Sequence, residues 1–98
     1  MAIEAVTTMK IKAVEACAAR IDTLLAMSVE HLSSFSGCLN CSYTRRTSGC
    51  PEWILSAYWA DSHSLNKSMG SLELNNLIKD ICECALGVDF HCFMADDE

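Results

Sequence analysis

The chain is poor both in the residues that interrupt regular structure and in positive charge. Its 98 residues include one proline and four glycines, and aromatic side chains make up only 7%. Seven lysines and arginines stand against thirteen aspartates and glutamates, which gives a formal net charge of −6. Affinity for a phosphate backbone depends on clustered cations, so this shortage excludes nucleic acid as a direct partner.

Long hydrophobic runs are missing as well. Charged residues interrupt the N-terminal segment at Glu4, Lys10, Lys12 and Glu15, so no signal-peptide core is present there. No run approaches the roughly 20 apolar residues that a membrane-spanning helix needs. We therefore expect a cytoplasmic protein that does not enter a membrane.

Recognisable catalytic motifs are absent too. The sequence contains no nucleophile elbow, phosphate-binding loop, dinucleotide fingerprint or HExxH zinc motif. Three histidines, His31, His63 and His91, could each serve as a base, but they are scattered along the chain. This pattern predicts a protein that is not an enzyme.

Apolar residues, by contrast, are abundant for so short a chain. They make up 51% of the sequence, and a single small domain leaves much of its surface exposed to water. Some of these side chains should therefore be covered by another molecule. We expect a protein partner and assembly into a homo-oligomer.

The spacing of apolar residues predicts an all-α fold. Apolar side chains recur every three or four positions through the first third of the chain, as on one face of a helix. A polar, aperiodic stretch follows, and Pro51 and Ser71 are suited to begin further helices. The predicted architecture is a single-domain three-helix bundle with a long first helix, a cysteine-containing loop and a short C-terminal tail. The predicted segments are a helix over about 2–35, a loop over 36–50, helices over about 51–66 and 71–86, and a tail over 87–98.

Seven cysteines raise the question of a metal site. Cys38 and Cys41 have the two-residue spacing of half a tetrahedral zinc site, and Cys50 could supply a third ligand. No second pair completes the motif, and helical cysteines such as Cys17 are explained as small apolar side chains. The pattern favours free thiols and no cofactor. Structural zinc is the alternative, and a disulfide within the loop is a third option in an oxidising compartment.

The aromatic cluster and an adjacent arginine pair are the candidate binding residues. On a helix, Trp53 and Trp59 would lie about 120° apart, so one could face the core and the other, with Tyr58 nearby, a partner. Arg45 and Arg46 in the predicted loop could bind an anion or an acidic protein surface.

Together these features predict a small, acidic, non-catalytic protein that acts by protein–protein interaction. An inhibitor or adaptor of the kind used by phages and mobile elements fits this description. One alternative is a helical module stabilised by structural zinc. The other is a helical oligomer that sequesters a small ligand or nucleotide, with Arg45, Arg46 or the polar stripe of Glu52, Ser56 and His63 providing contacts.

Overall fold

A computed structural model describes residues 2–46 and 48–95 and contains both strands and helices. The elements in chain order are β1 (Ala5–Lys12), a 3-10 turn (Glu15–Cys17), α1 (Ala18–Ser33), β2 (Cys38–Arg45), β3 (Glu52–Trp59), α2 (Ser62–Met69), α3 (Leu72–Cys84) and β4 (Gly87–Met94). The fold is therefore α+β, and the predicted all-α three-helix bundle is wrong.

The strands form one antiparallel sheet in the order β2-β3-β1-β4. The central pair, β1 and β3, aligns over the full length of both strands, with Met9 opposite Leu55. The helices pack on one face of this sheet, and the hydrophobic core lies between them. The other face of the sheet carries no helix of the described chain.

Alternating burial explains why β1 and β3 are strands. In β3 the side chains of Trp53, Leu55, Ala57 and Trp59 are buried, while the residues between them point to the open face. Side chains two residues apart share one face of a strand, so both tryptophans face the core. The predicted helix over 51–66 is wrong because apolar residues on both faces of β3 resemble a helix that is apolar all round.

Helices α1 and α3 cover the sheet with regular apolar stripes. Ile21, Leu25 and Leu32 are buried on α1, and Leu77 and Ile81 are buried on α3. These spacings of four and seven residues place each set on one helical face. The two helices contact each other as well as the core, which brings the C-terminal end of α1 beside the N-terminal end of α3.

The remaining segment predictions divide into one success and three corrections. The predicted third helix over 71–86 corresponds to α3, and its cap is confirmed because the Ser71 hydroxyl accepts a hydrogen bond from the Leu74 amide at 3.3 Å. The long helix over 2–35 is replaced by β1 and α1, the loop over 36–50 contains β2, and the tail contains β4. Residues 47 and 96–98 lie outside the described residues.

No helix among the described residues has the length and apolar character needed to cross a membrane.

Candidate active site

His31 lies at the seam between α1 and α3 and contacts two polar side chains at the N-terminal end of α3, the cap residue Ser71 and Glu73 of the first turn. Its Nε2 atom is 2.8 Å from the Ser71 hydroxyl oxygen, and its Nδ1 atom is 3.2 Å from a carboxylate oxygen of Glu73. The His31 side chain is only 16% exposed, whereas Glu73 is mostly in solvent. We call these three residues the His31 relay.

The Glu73 carboxylate determines which ring nitrogen of His31 carries the proton. An ionised carboxylate only accepts hydrogen bonds, so the Nδ1 atom facing Glu73 donates. In the neutral ring Nε2 is then an acceptor, and the Ser71 hydroxyl donates to it. The same hydroxyl oxygen accepts from the Leu74 amide, which fixes its position. His31 is thus oriented as a base toward Ser71.

Aromatic rings connect the His31 relay to the buried face of the sheet. The His31 ring meets Phe35 edge to face, with centroids 5.3 Å apart, and Phe35 meets Trp59 in the same manner at 6.3 Å. The Trp59 indole donates to the Thr7 hydroxyl of β1 at 3.2 Å, which satisfies its buried N–H group. These contacts restrict rotation of the imidazole, so the base is held rigidly.

A surface cavity of about 340 Å³ opens on two members of the relay, His31 and Glu73, with Ser71 directly behind them. It is lined by Met27, Glu30, His31, Ser34 and Glu73. This volume falls at the small end of the range for organic ligands. The cavity therefore brings a positioned base, an apolar side chain and two carboxylates within reach of one small molecule.

A second cleft, of about 290 Å³, lies where β1 ends and β3 begins. Lys12, Arg46, Glu52 and Cys50 line it together with apolar side chains. Glu52 is ion-paired with Lys10 at 3.2 Å and with Arg46 at 3.3 Å, and the hydrogen bond from Lys10 lowers the pKa of its carboxyl group. The single carboxylate of this cleft is held by ion pairs, and none of these groups is positioned as a base beside a hydroxyl. We therefore favour the seam.

The two arginines predicted to bind an anion are paired with carboxylates of the chain itself. Arg45 lies 3.0 Å from Asp22 and 3.6 Å from Glu15, and its guanidinium stacks over the Trp53 ring at 5.4 Å. Arg46 pairs with Glu52. Neither is placed in the cavity at the seam, and exposed pairs of this kind contribute little to stability.

The three aromatic binding candidates are divided between the faces of the sheet. Trp53 and Trp59 are fully buried, and the Trp53 indole donates to Asp22 at 2.7 Å, joining β3 to α1. Tyr58 is half-buried on the open face. The idea that one tryptophan faces a partner depended on helical geometry and is wrong for a strand.

The proposed zinc ligands do not form a metal site. Within the part of the chain that the structure describes, no group of three or more metal-ligating side chains is found, and all seven cysteines are free thiols. Burial raises the pKa of Cys38, and burial together with the Cys38 thiol raises the pKa of Cys41 to about 12. Because zinc binds the thiolate, this environment opposes ligation by Cys41.

The raised pKa predicts strongly unequal thiol reactivity. At pH 8 only about 10⁻⁴ of Cys41 is thiolate, so iodoacetamide should leave it unmodified in the folded protein. Cys50 is exposed, as are Cys82 and Cys92, and should be alkylated long before Cys41. Peptide mass spectrometry after timed alkylation measures both rates, and full denaturation provides the control in which they converge. Modification of Cys41 as fast as Cys50 in the folded state would contradict the described environment.

Sequence reasoning does not find the His31 relay, although it identifies two of its three members. Ser71 was identified as a helix cap, and His31 was considered as a base. Forty residues separate them, and no motif links the two positions. Only the packing of α1 against α3 brings them together.

Comparison with solved structures matches almost the whole chain. A proposed antibiotic biosynthesis monooxygenase from Deinococcus radiodurans superposes with a TM-score of 0.85 at 13% identity, covering 96% of this chain and 94% of that one. The chain therefore shares its fold with this protein. SnoaB of Streptomyces nogalater, a cofactor-independent oxygenase, shares this monooxygenase fold with a TM-score of 0.77 at 13% identity, covering 97% and 96% of the two chains. Rv0793 of Mycobacterium tuberculosis superposes with a TM-score of 0.82 at 16% identity, covering 96% of each chain.

Sequence comparison adds nothing to this result. No protein-family model matches the chain, and neither does any curated protein sequence. The structural likeness nevertheless corrects the predicted function, because the solved structures that share this fold include a cofactor-independent oxygenase and are not helical bundles. The prediction of a non-catalytic inhibitor or adaptor, and with it the prediction that the protein is not an enzyme, is wrong.

Proposed function

We propose that this protein is a small oxygenase that works without a metal or organic cofactor. The observation that carries the proposal is the His31 relay, a positioned base opening on a cavity of ligand size. The proposal is also supported by the fold, which is shared with a cofactor-independent oxygenase. The substrate class is a small hydroxyaromatic compound or enol whose anion can reduce dioxygen.

The substrate must supply the electrons when no cofactor does. Dioxygen accepts electrons one at a time, and an aromatic or enolic anion gives them far more readily than its neutral form. Removal of one proton therefore starts the reaction. A C–O bond then forms, the peroxide O–O bond breaks, and an activated CH₂ group with O₂ becomes a carbonyl group and one water. All four electrons come from the substrate, so the reaction balances.

His31 provides the deprotonation in this scheme. The substrate proton passes to the Ser71 oxygen as the Ser71 proton moves to His31 Nε2, and Glu73 stabilises the resulting imidazolium. General-base catalysis of this kind contributes about 10²–10⁴-fold to a rate. Met27 gives the cavity an apolar wall against which a substrate ring can pack.

Oxygen consumption in chelator-treated buffer tests the proposal. Purified protein is mixed with hydroquinones, naphthols and cyclic 1,3-diketones, and uptake is followed with an oxygen electrode. We expect substrate-dependent uptake, with one atom of ¹⁸O₂ retained in the product and the other released as water. Uptake no faster than autoxidation for every compound would refute the proposal, and full inhibition by the chelator would refute its cofactor-free part.

We propose in addition that the protein assembles as a homo-oligomer through β4. This edge strand exposes Phe90, Phe93 and Met94, which is unusual for large apolar side chains. Phe93 lies opposite Val6 in the sheet, so a second copy related by a two-fold axis could pack the same apolar side chains against it. Native mass spectrometry should show a dimer or larger species, and Phe93→Glu should reduce it to monomer while the exposed-helix control Leu72→Glu does not. A monomer at every concentration would contradict this.

A further inference from the structure

We propose that Ser71 is a nucleophile and that the protein hydrolyses small esters through an acyl-Ser71 intermediate. The relay has the arrangement that acyl transfer requires, in which a hydroxyl donates to a histidine whose other nitrogen faces a carboxylate. This activity uses the same His31 as the proposed oxygenase but requires no dioxygen. The esterase activity can therefore be tested independently of the oxygenase activity.

The Ser71 oxygen is placed for activation by His31, which lines the cavity. It lies 2.8 Å from His31 Nε2, within the range for a nucleophile and its base. The 3.3 Å hydrogen bond from the Leu74 amide stabilises negative charge on the oxygen as its proton leaves. Glu73 acts as a positioning residue because its contact with Nδ1 selects the required tautomer.

The first turn of α3 offers donors for the developing oxyanion. The amides of Leu72 and Glu73 belong to the first turn of a 13-residue helix, whose leading N–H groups have no intrahelical acceptor. These groups and the helix dipole favour negative charge beside Ser71. An ester carbonyl attacked by Ser71 would therefore form its oxyanion at the positive end of α3.

The chemical step is balanced with an ester and water alone. The Ser71 oxygen forms a bond to the acyl carbon as His31 takes the hydroxyl proton, and the alkoxide leaving group then takes that proton as the C–O bond breaks. Water enters, gives one proton to His31, and its oxygen bonds to the acyl carbon. Ser71 leaves and recovers the proton, so one acid and one alcohol are the products.

The lining of the cavity selects among esters. Glu30 and Glu73 place two carboxylates around a space of about 340 Å³. Like charges disfavour one another at close range, so esters bearing a carboxylate should be rejected. Short neutral acyl groups, or esters with a cationic alcohol, fit both the volume and the charge.

Anaerobic labelling with an alkyl fluorophosphonate, together with turnover of 4-nitrophenyl acetate, tests the proposal. We expect the label on Ser71 by peptide mass spectrometry and a burst of nitrophenol followed by slower turnover. Ser71→Asn retains a capping side chain but has no hydroxyl, so it should lose the label and at least 100-fold of the hydrolysis rate while keeping its helical circular dichroism. Ser42→Ala, which changes an exposed hydroxyl of β2, is the matched control and should behave as wild type.

Two further results decide the mechanism. Glu73→Gln should lower kcat for hydrolysis with little change in KM, because an amide can face Nδ1 with either its oxygen or its NH₂ group and no longer selects one tautomer of His31. Hydrolysis that persists in folded Ser71→Asn, or a label on any other residue, would overturn the proposal. Since the assay excludes dioxygen, loss of oxygenase activity and loss of esterase activity are distinguishable in the same set of variants.

Discussion

Replacing His31 by glutamine is expected to lower substrate-dependent oxygen uptake by about 10²–10⁴-fold. Glutamine can still hydrogen-bond to Ser71 but cannot accept a proton at neutral pH, so the variant separates base strength from position. The side chain lies at the seam and is mostly covered, yet the variant removes no part of the main hydrophobic core. The measurement is the initial rate in the oxygen electrode, together with a thermal unfolding curve.

The two other histidines provide the matched controls. His63 is exposed on α2, and His91 lies on the exposed edge strand β4. Neither residue lines the cavity at the seam. His63→Gln and His91→Gln should therefore keep the wild-type rate. An undiminished rate in His31→Gln, or an equal loss in all three variants, would contradict the assignment of His31 as the base.

Replacing either buried tryptophan by alanine is expected to lower the free energy of unfolding by about 3–5 kcal/mol. Trp53 and Trp59 are both fully buried on the same face of β3, so the two effects should be similar in size. Each variant also breaks an indole hydrogen bond, to Asp22 or to Thr7. A loss of this size is a large part of the stability of a small domain, so urea titration should show early unfolding for both.

Ile54 provides the control for the tryptophan variants. It lies between them in sequence but points to the open face and is 45% exposed. Ile54→Ala should lower the free energy of unfolding much less than either tryptophan variant, because a half-exposed side chain buries less apolar surface on folding. If one tryptophan variant left stability unchanged, or if Ile54→Ala matched both, the strand assignment and the position of the core would be wrong.

The strands show where sequence reasoning succeeded and failed. In β1 the residues Thr7, Met9 and Ile11 are buried, and the pattern of two is readable once a strand is suspected. The same residues also fall near helical spacing when joined to α1, and the chain between them lacks the glycine or proline that usually marks a boundary. The predicted helix over 2–35 therefore combined β1 and α1 into a single element.

The edge strands carried still weaker signals. Strand β4 is exposed along almost its entire length, so it shows no alternation between buried and polar residues. Strand β2 includes an irregularity between Cys38 and Asn40, which shifts its register against β3. By contrast, α3 was predicted well because its apolar stripe and the Ser71 cap are both local features.

The candidate site could be predicted only in part, because the sequence shows local features but not long-range contacts. Helix caps depend on a few neighbouring residues, so Ser71 was found. A base and a hydroxyl forty positions apart meet only through tertiary packing, and no sequence motif records that contact. The pairing of Arg45 with Asp22 is likewise a long-range contact between β2 and α1.

Histidine-selective NMR under anaerobic conditions tests the central claim most directly, that small hydroxyaromatic molecules bind at the seam between α1 and α3. The protein with ¹⁵N-labelled histidine is titrated with a naphthol that does not react without dioxygen. The account predicts saturable shifts of the His31 ring signals, while the signals of His63 and His91 stay unchanged. Shifts at His63 or His91 with none at His31, or no shift at any histidine for compounds that support oxygen uptake, would contradict it.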